Sequence, residues 1–253
     1  MHRLFHTVLL FLAFACSCGG GPVRYRLEVT GEYPHDTGAY TQGLFFHDGQ
    51  LYESTGQYGE SSFRVVELST GKVLRRLDFG RKYFAEGSVM LDGKLFILTW
   101  TNRLAFVYDA GTLEYEHTYS YPREGWGLTT DGTHLIASDG SSRLYFLDTS
   151  FRLQKSITVK KDGRPVRLLN ELEWIDGKIW ANVYTTDMIL IIDPSSGEVE
   201  GMVDCSGLLP GRLRRADTDV LNGIAVSDDG KIFLTGKNWP RLYEVRLVPE
   251  RKK

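Results

Sequence analysis

The 253-residue chain carries 30 Lys+Arg against 32 Asp+Glu, so no basic surface marks it out for nucleic acid. With 27 glycines, 12% aromatics and no helical heptads, it reads as an all-β protein with many tight turns rather than a helical bundle. Six scattered histidines show no metal-ligand spacing, and Cys205 has no partner for a disulfide framework, so a zinc enzyme and a disulfide-stapled domain are both disfavoured.

Residues 1–18 differ from the rest. Met1-His2-Arg3 is weakly basic and residues 4–15 are almost wholly apolar. That stretch is too short to span a bilayer as a mature helix and reads as the core of a signal peptide. Ala15-Cys16-Ser17-Cys18 precedes the flexible tether of residues 19–22, Gly19-Gly20-Gly21-Pro22. The arrangement is similar to a bacterial lipoprotein cleavage box, with Cys18 or Cys16 acylated to form a membrane tether. The chain is therefore expected to be exported, as a periplasmic or outer-membrane lipoprotein or, if the signal is an ordinary one, as a secreted protein. Residues 23–253 are expected to form one monomeric domain.

The first strand of that domain is Val23–Thr30. A repeat follows. Its mark is an Asp-Gly pair between two apolar runs, the strongest short-range hairpin signal: Asp48-Gly49, Asp92-Gly93, Asp131-Gly132, Asp176-Gly177 and Asp229-Gly230. The pairs lie 44, 39, 45 and 53 residues apart, about one four-stranded propeller blade each. In every unit one strand enters the turn and a second leaves it, as at Leu95–Leu98. A third follows, as at Arg103–Tyr108, Arg143–Leu147 and Met188–Ile192. A second turn, Ser69-Thr70-Gly71-Lys72 or Ser195-Ser196-Gly197-Glu198, opens a fourth. The last unit ends after Leu242–Leu247 without a fourth strand. Val23–Thr30 is left to supply it, closing a five-bladed β-propeller and removing its open edges.

Aligning the first strands exposes two rings. The residue just before the Gly position of each aligned first strand is Gln42, Glu86, Trp126, Asn170 or Asn222. A propeller's first strand is innermost, so these five should circle one mouth of the channel. Fourteen residues on, where the antiparallel second strand returns to the same mouth, stand Gly56, Trp100, Gly140, Tyr184 and Gly236, with Glu53, Thr55, Asp139 and Lys237 close by. One face thus gathers a carboxylate, an ammonium, carboxamides and aromatics. Any one of these residues alone reads as a turn former or an inter-blade wedge. Together they vary from unit to unit while the Asp-Gly turns stay alike, and diversity on a uniform scaffold points to a ligand site.

These segments resemble the plant- and bacterial-type glutaminyl-peptide cyclotransferases, or glutamine cyclotransferases. The resemblance rests on Tyr40-Thr-Gln-Gly-Leu44, Tyr52-Glu-Ser-Thr-Gly56, Ser61-Ser-Phe-Arg-Val65, Phe84-Ala-Glu-Gly87, Leu98-Thr-Trp100, Glu124-Gly-Trp-Gly-Leu128, Leu169-Asn-Glu-Leu-Glu-Trp174, Leu221-Asn-Gly-Ile-Ala225 and Thr235-Gly-Lys-Asn-Trp239, in order through all five units. It implies a five-bladed propeller and a reaction. The α-amine of a peptide's N-terminal glutamine attacks its own γ-carboxamide, giving pyroglutamate and ammonia. It also implies roles. Glu86 would be the proton shuttle and Lys237 would stabilise the oxyanion. Gln42 and Asn170 would orient the amide and backbone, and Trp100 and Trp126 would wall the pocket against water. Tyr184 stands where the plant enzyme is expected to carry tryptophan. Asn222 joins the substrate-binding set through its ring position. The substrates implied are peptides or proteins with N-terminal glutamine. No cofactor is expected in catalysis and no metal ligand is assigned, while a structural calcium ion is compatible with carboxylates near the channel such as Glu171 and Glu173. Glu53 is read as structural.

The residues leave two other classes open. A non-catalytic propeller binding module would lack a single Glu/Lys pair at the mouth. A calcium-dependent lactone hydrolase could use Glu86, Asn170 and Asn222 as metal ligands, but a lysine beside a divalent cation is costly. The longest interval, between units four and five, carries the surplus segment Ser206–Asp219. It leads from an outer strand to the inner strand at Asn222, and so either rims the mouth and touches the peptide beyond its glutamine or is a plain connector.

Overall fold

The computed structural model describes residues 21–250 and is all-β. The signal segment and the Cys16/Cys18 box lie outside the described residues. Each Asp-Gly unit folds as an antiparallel meander. Unit one runs Thr41–His47, Gln50–Thr55, Ser62–Glu67, Lys72–Asp78, and unit two Ala85–Leu91, Lys94–Thr99, Leu104–Asp109, Tyr115–Ser120. Unit three runs Leu128–Thr130, Leu135–Ser138, Arg143–Leu147, Leu153–Thr158, and unit four Leu169–Ile175, Lys178–Val183, Met188–Ile192, Val199–Asp204. Unit five supplies Leu221–Val226, Ile232–Gly236 and Arg241–Pro249.

The missing fourth strand of unit five comes from the N-terminal side, as expected. Val23–Pro34 pairs antiparallel with Arg241–Pro249, from Tyr25 opposite Pro249 to Pro34 opposite Arg241. Its first residues also pair parallel with unit four, Val23 opposite Gly201 to Arg26 opposite Asp204, so units four and five share one eight-stranded sheet. That second pairing covers an edge that would otherwise be open.

Burial follows strand order. The first strand of unit two is buried at every residue, whereas its fourth, Tyr115–Ser120, is mostly exposed. A strand covered on both faces loses the alternation of apolar and polar residues that a one-sided strand shows. Among the described residues the core divides into five clusters, each shared by two neighbouring units: Phe45 and Phe63 with Phe106 (one and two), Phe96 with Tyr145 (two and three), Phe146 with Ile179 (three and four), Trp180 with Tyr243 (four and five), Leu44 with Phe233 (one and five). Each of these large side chains contributes about 1.5–3 kcal/mol by burial, so the units are held chiefly by their neighbours. Cys205, expected to act as a small apolar filler, is buried in the cluster between units four and five.

Three Asp-Gly turns have positive φ at both residues (Asp48 48°, Gly49 72°; Asp92 51°, Gly93 72°; Asp176 50°, Gly177 75°). This is the hairpin turn whose twist matches the flanking strands. In unit five only Gly230 of the pair is left-handed. The turn there is one residue longer, so Ile224 faces Leu234, where Ser88 faces Ile97 in unit two.

Candidate active site

Four of the five units break their ladder at the inner-ring residue; in unit three Trp126 instead precedes the first strand, Leu128–Thr130, which pairs without a shift. The register shifts between Thr41 and Gly43, Ala85 and Ser88, Leu169 and Leu172, and Leu221 and Ile224. These bulges carry Gln42, Glu86, Asn170 and Asn222, and a bulge re-aims a side chain at the end of a strand. The following glycine lets neighbouring inner strands touch backbone to backbone. A Cβ on Gly87 would lie 2.4 Å from the Leu128 nitrogen, and one on Gly127 would lie 2.1 Å from the Asn170 carbonyl oxygen. In unit four Glu171 replaces that glycine. Its carboxylate accepts from the Leu44 amide at 3.3 Å and the Ile224 amide at 2.9 Å, reaching units one and five. Glu173 accepts from the Val226 amide (3.2 Å) and the Thr129 hydroxyl (3.4 Å). Burial pushes both carboxyls up, Glu173 to about 8, against the hydrogen bonds that favour the charged form. Among the described residues no group of three or more His, Cys, Asp or Glu side chains converges. Two carboxylates with their oxygens engaged by N–H and O–H donors do not fit a calcium site; they tie the inner strands together.

The second ring needs one adjustment. Tyr40, Phe84 and Leu168 carbonyls accept from the amides of Gly56, Trp100 and Tyr184. In unit five the Val220 carbonyl accepts from Lys237. The longer turn therefore puts Lys237, not Gly236, in the ring with Gly56, Trp100, Gly140 and Tyr184. The glycines of this ring make room for aromatics: a Cβ on Gly56 would lie 2.2 Å from the Phe84 ring and one on Gly140 2.7 Å from the Trp126 indole.

Glu86 and Lys237 are 4% and 3% exposed. Burial drives the Glu86 carboxyl well above its usual range; Lys237 opposes the shift and Glu124 adds to it. Burial lowers the Lys237 ammonium, opposed by Glu86 and Asp219. The two feel each other's charge, yet among the described residues neither side chain is hydrogen-bonded. Lys237 Nζ is instead held between two rings, 4.7 Å from the centroid of Tyr40 and 4.8 Å from that of Tyr184, a geometry that favours the ammonium where water is scarce. The Tyr40 hydroxyl donates to Asp219 at 2.8 Å.

Trp100, Trp126 and Tyr184 are partly exposed walls. Trp126 meets Tyr184 edge to face at 5.5 Å, and Phe84 meets Trp100 at the same distance. Gln42 and Asn170 are buried, and the Asn170 amide is free of side-chain bonds among the described residues. Asn222, read from sequence as a substrate contact, is 0% exposed. Its amide donates to the Thr41 carbonyl at 2.9 Å and to Gln42 Oε1 at 3.2 Å, so it stands behind Gln42. Glu53, Thr55 and Asp139 bond to the scaffold: Glu53 to His35 and Thr41, Thr55 to Ser62, Asp139 to Tyr145.

Glu124 was not singled out by sequence. Its Oε2 accepts from both indoles, Trp100 Nε1 at 2.9 Å and Trp126 Nε1 at 3.2 Å. A signal existed: Tyr40, Phe84, Glu124, Leu168 and Val220 each precede an inner-ring residue by two, and residues two apart on a strand share a face.

A profile of the Glutamine cyclotransferase family matches residues 7–247. The chain is 43% identical over 230 residues to the Glutaminyl-peptide cyclotransferase of Arabidopsis thaliana, across 88% of this chain and 71% of that one. The crystal structure of Myxococcus xanthus Glutaminyl Cyclase aligns with a TM-score of 0.85 at 40% identity, covering 91% of this chain and 100% of that one.

Proposed function

The chain belongs to the glutamine cyclotransferase family, and from that premise we propose how its own residues convert the N-terminal glutamine of a peptide or protein into pyroglutamate and ammonia. The observation that carries the proposal is the pairing of Glu86 with Lys237: two buried ionisable groups, electrostatically coupled, unbonded, and ringed by aromatics. Structural ion pairs of a core close on each other; these two influence each other's charge without forming a salt bridge among the described residues.

The substrate's α-amine must be neutral to attack the γ-carbonyl carbon. As the C–N bond forms, the amine sheds a proton to the Glu86 carboxylate. The carbonyl oxygen gains negative charge, and the Lys237 ammonium supports it. Glu86 then returns the proton to the carboxamide nitrogen, the C–N bond to that nitrogen breaks, and ammonia leaves. The lactam retains every remaining atom and no water is consumed. A shuttle works best when its pKa lies near the operating pH, and burial moves Glu86 in that direction. Gln42, steadied by Asn222, and Asn170 hold the carboxamide and the peptide backbone. Trp100, Trp126 and Tyr184 wall the folded glutamine from water, with Glu124 fixing the two indoles.

We read the five meanders as blades of a closed five-bladed β-propeller. Five shared clusters and inner strands in contact around the series, Thr41–His47 with Leu221–Val226 included, support that arrangement. All proposed groups come from one chain, which suits a monomer, and the N-terminal apolar segment suits export. The test is incubation with a glutaminyl dipeptide: stoichiometric ammonia and lactam support the reading. Equal ammonia from a dipeptide whose α-amine is acetylated would overturn it.

A further inference from the structure

A cleft of ≈ 230 Å³ opens beside Lys237, between Thr185–Asp187, which follow Tyr184, and Arg214 with Thr218–Val220 of the long interval before unit five. Its floor is tied to the site. Lys237 N–H donates to the Val220 carbonyl at 2.9 Å, and Asp219 N–H donates to the Lys237 carbonyl at 3.0 Å. The interval is not a loose connector. Leu208 and Leu209 are buried in the cluster between units four and five, and a 3-10 turn, Gly211–Leu213, places Arg214.

Two charged side chains in this cleft lack an ion-pair partner among the described residues, Arg214 and Asp187. They come from different segments and do not pair with each other. The third, Asp219, is already engaged by the Tyr40 hydroxyl and the Val220 amide, both at 2.8 Å. Thr185, at the lip, holds a left-handed φ of 67°, a conformation that a β-branched residue rarely adopts. A peptide whose glutamine amine and carboxamide lie between Glu86 and Lys237 must send its remaining chain outward, and each further residue spans roughly 3.3–3.6 Å.

We propose that this cleft is the subsite for the second and third residues of the substrate, and that Arg214 there selects a carboxylate while Asp187 opposes it. The proposal rests on the cyclotransferase reading. An ion pair at a solvated rim is worth a change of about 2- to 5-fold in selectivity and weakens with salt.

The experiment measures kcat/KM for two amidated dipeptides, Gln-Glu and Gln-Lys, at low and high salt. It uses the full chain and the variants Arg214→Ala, Arg214→Glu and Asp187→Asn, with melting temperatures confirming that each is folded. The ratio of acidic to basic substrate should fall about 2- to 5-fold in Arg214→Ala, invert in Arg214→Glu and rise in Asp187→Asn, with all three changes shrinking in high salt. A ratio that stays constant across the variants would overturn the subsite. If wild type cyclises neither peptide, the fault lies with the cyclotransferase reading itself.

Discussion

Replacing Glu53 by alanine should cost stability far more than activity. Glu53 Oε1 accepts from His35 Nε2 at 2.9 Å and from the Thr41 hydroxyl at 2.7 Å, and His35 Nδ1 faces the Trp239 carbonyl at 2.7 Å. Both imidazole nitrogens thus face acceptors, which only the doubly protonated ring satisfies. Burial works against that charge, but Glu53 and the Trp239 carbonyl outweigh it and raise His35. Burial likewise works against the Glu53 carboxylate, but His35 and Arg64 outweigh it and lower it. Removing one partner of such a buried pair costs about 3–5 kcal/mol, which for a domain of this size is a fall of about 6–20 °C in Tm. The pH dependence follows from the two directions. The raised His35 contributes stability that is complete below its unfolded value and lost as pH rises through its folded value. The lowered Glu53 contributes stability present above its unfolded value and lost as pH falls through its folded value. The pair is therefore worth most in the window between, roughly pH 4.5 to 6.5 and somewhat beyond at each end. Calorimetry of wild type and Glu53→Ala across that range tests this. The difference in Tm should peak there and shrink on the alkaline side, while turnover per folded molecule at 25 °C stays close to wild type. A Tm change under about 2 °C, or a difference independent of pH, refutes the reasoning.

Glu124→Gln should keep an acceptor for the two indoles while removing a charge that lifts Glu86. The acid limb of kcat/KM, where Glu86 must lose its proton, should then move to lower pH; an unmoved limb would show that Glu124 does not act on Glu86. Because every step assigned above uses side chains of this chain, enzyme dialysed against heterocyclic chelators should retain its activity in the ammonia assay. Activity that is lost and then restored by zinc would replace the mechanism.

The units and their strand order are legible from residues because hairpin chemistry is local: Asp-Gly demands positive φ and an apolar run on either side. The closing strand is legible by elimination, since unit five lacks a fourth strand and Val23–Thr30 lacks a partner. Its parallel pairing with unit four is not, because a strand edge carries no sequence mark for a second neighbour. Trp126 precedes its strand, Leu128–Thr130, by two residues, whereas Gln42, Glu86 and Asn170 are legible through their shared place at strand starts. Asn222 shares that place, but whether a carboxamide faces a ligand or the back of Gln42 depends on inter-unit packing that no local pattern encodes. Lys237 slips by one position because the turn at Asp229-Gly230 is longer, a difference set by local hydrogen bonds such as Ser227 N–H to the Lys231 carbonyl. Glu171 and Glu173 are ambiguous in sequence, compatible with a structural calcium ion but not assigned as ligands. Only the structure brings backbone amides of units one and five to their oxygens.

In the proposed reaction Glu86 moves the proton and Lys237 supports the oxyanion. The most direct measurement is kcat for ammonia release from a glutaminyl dipeptide by Glu86→Gln and Lys237→Ala, with Tm recorded on the same samples. Each variant should lose at least about 100-fold, or about 2.7 kcal/mol of transition-state stabilisation. Glu86→Gln should keep or raise its Tm, since it removes a carboxylate that burial destabilises. Near-normal turnover in either folded variant would contradict the role assigned to that residue.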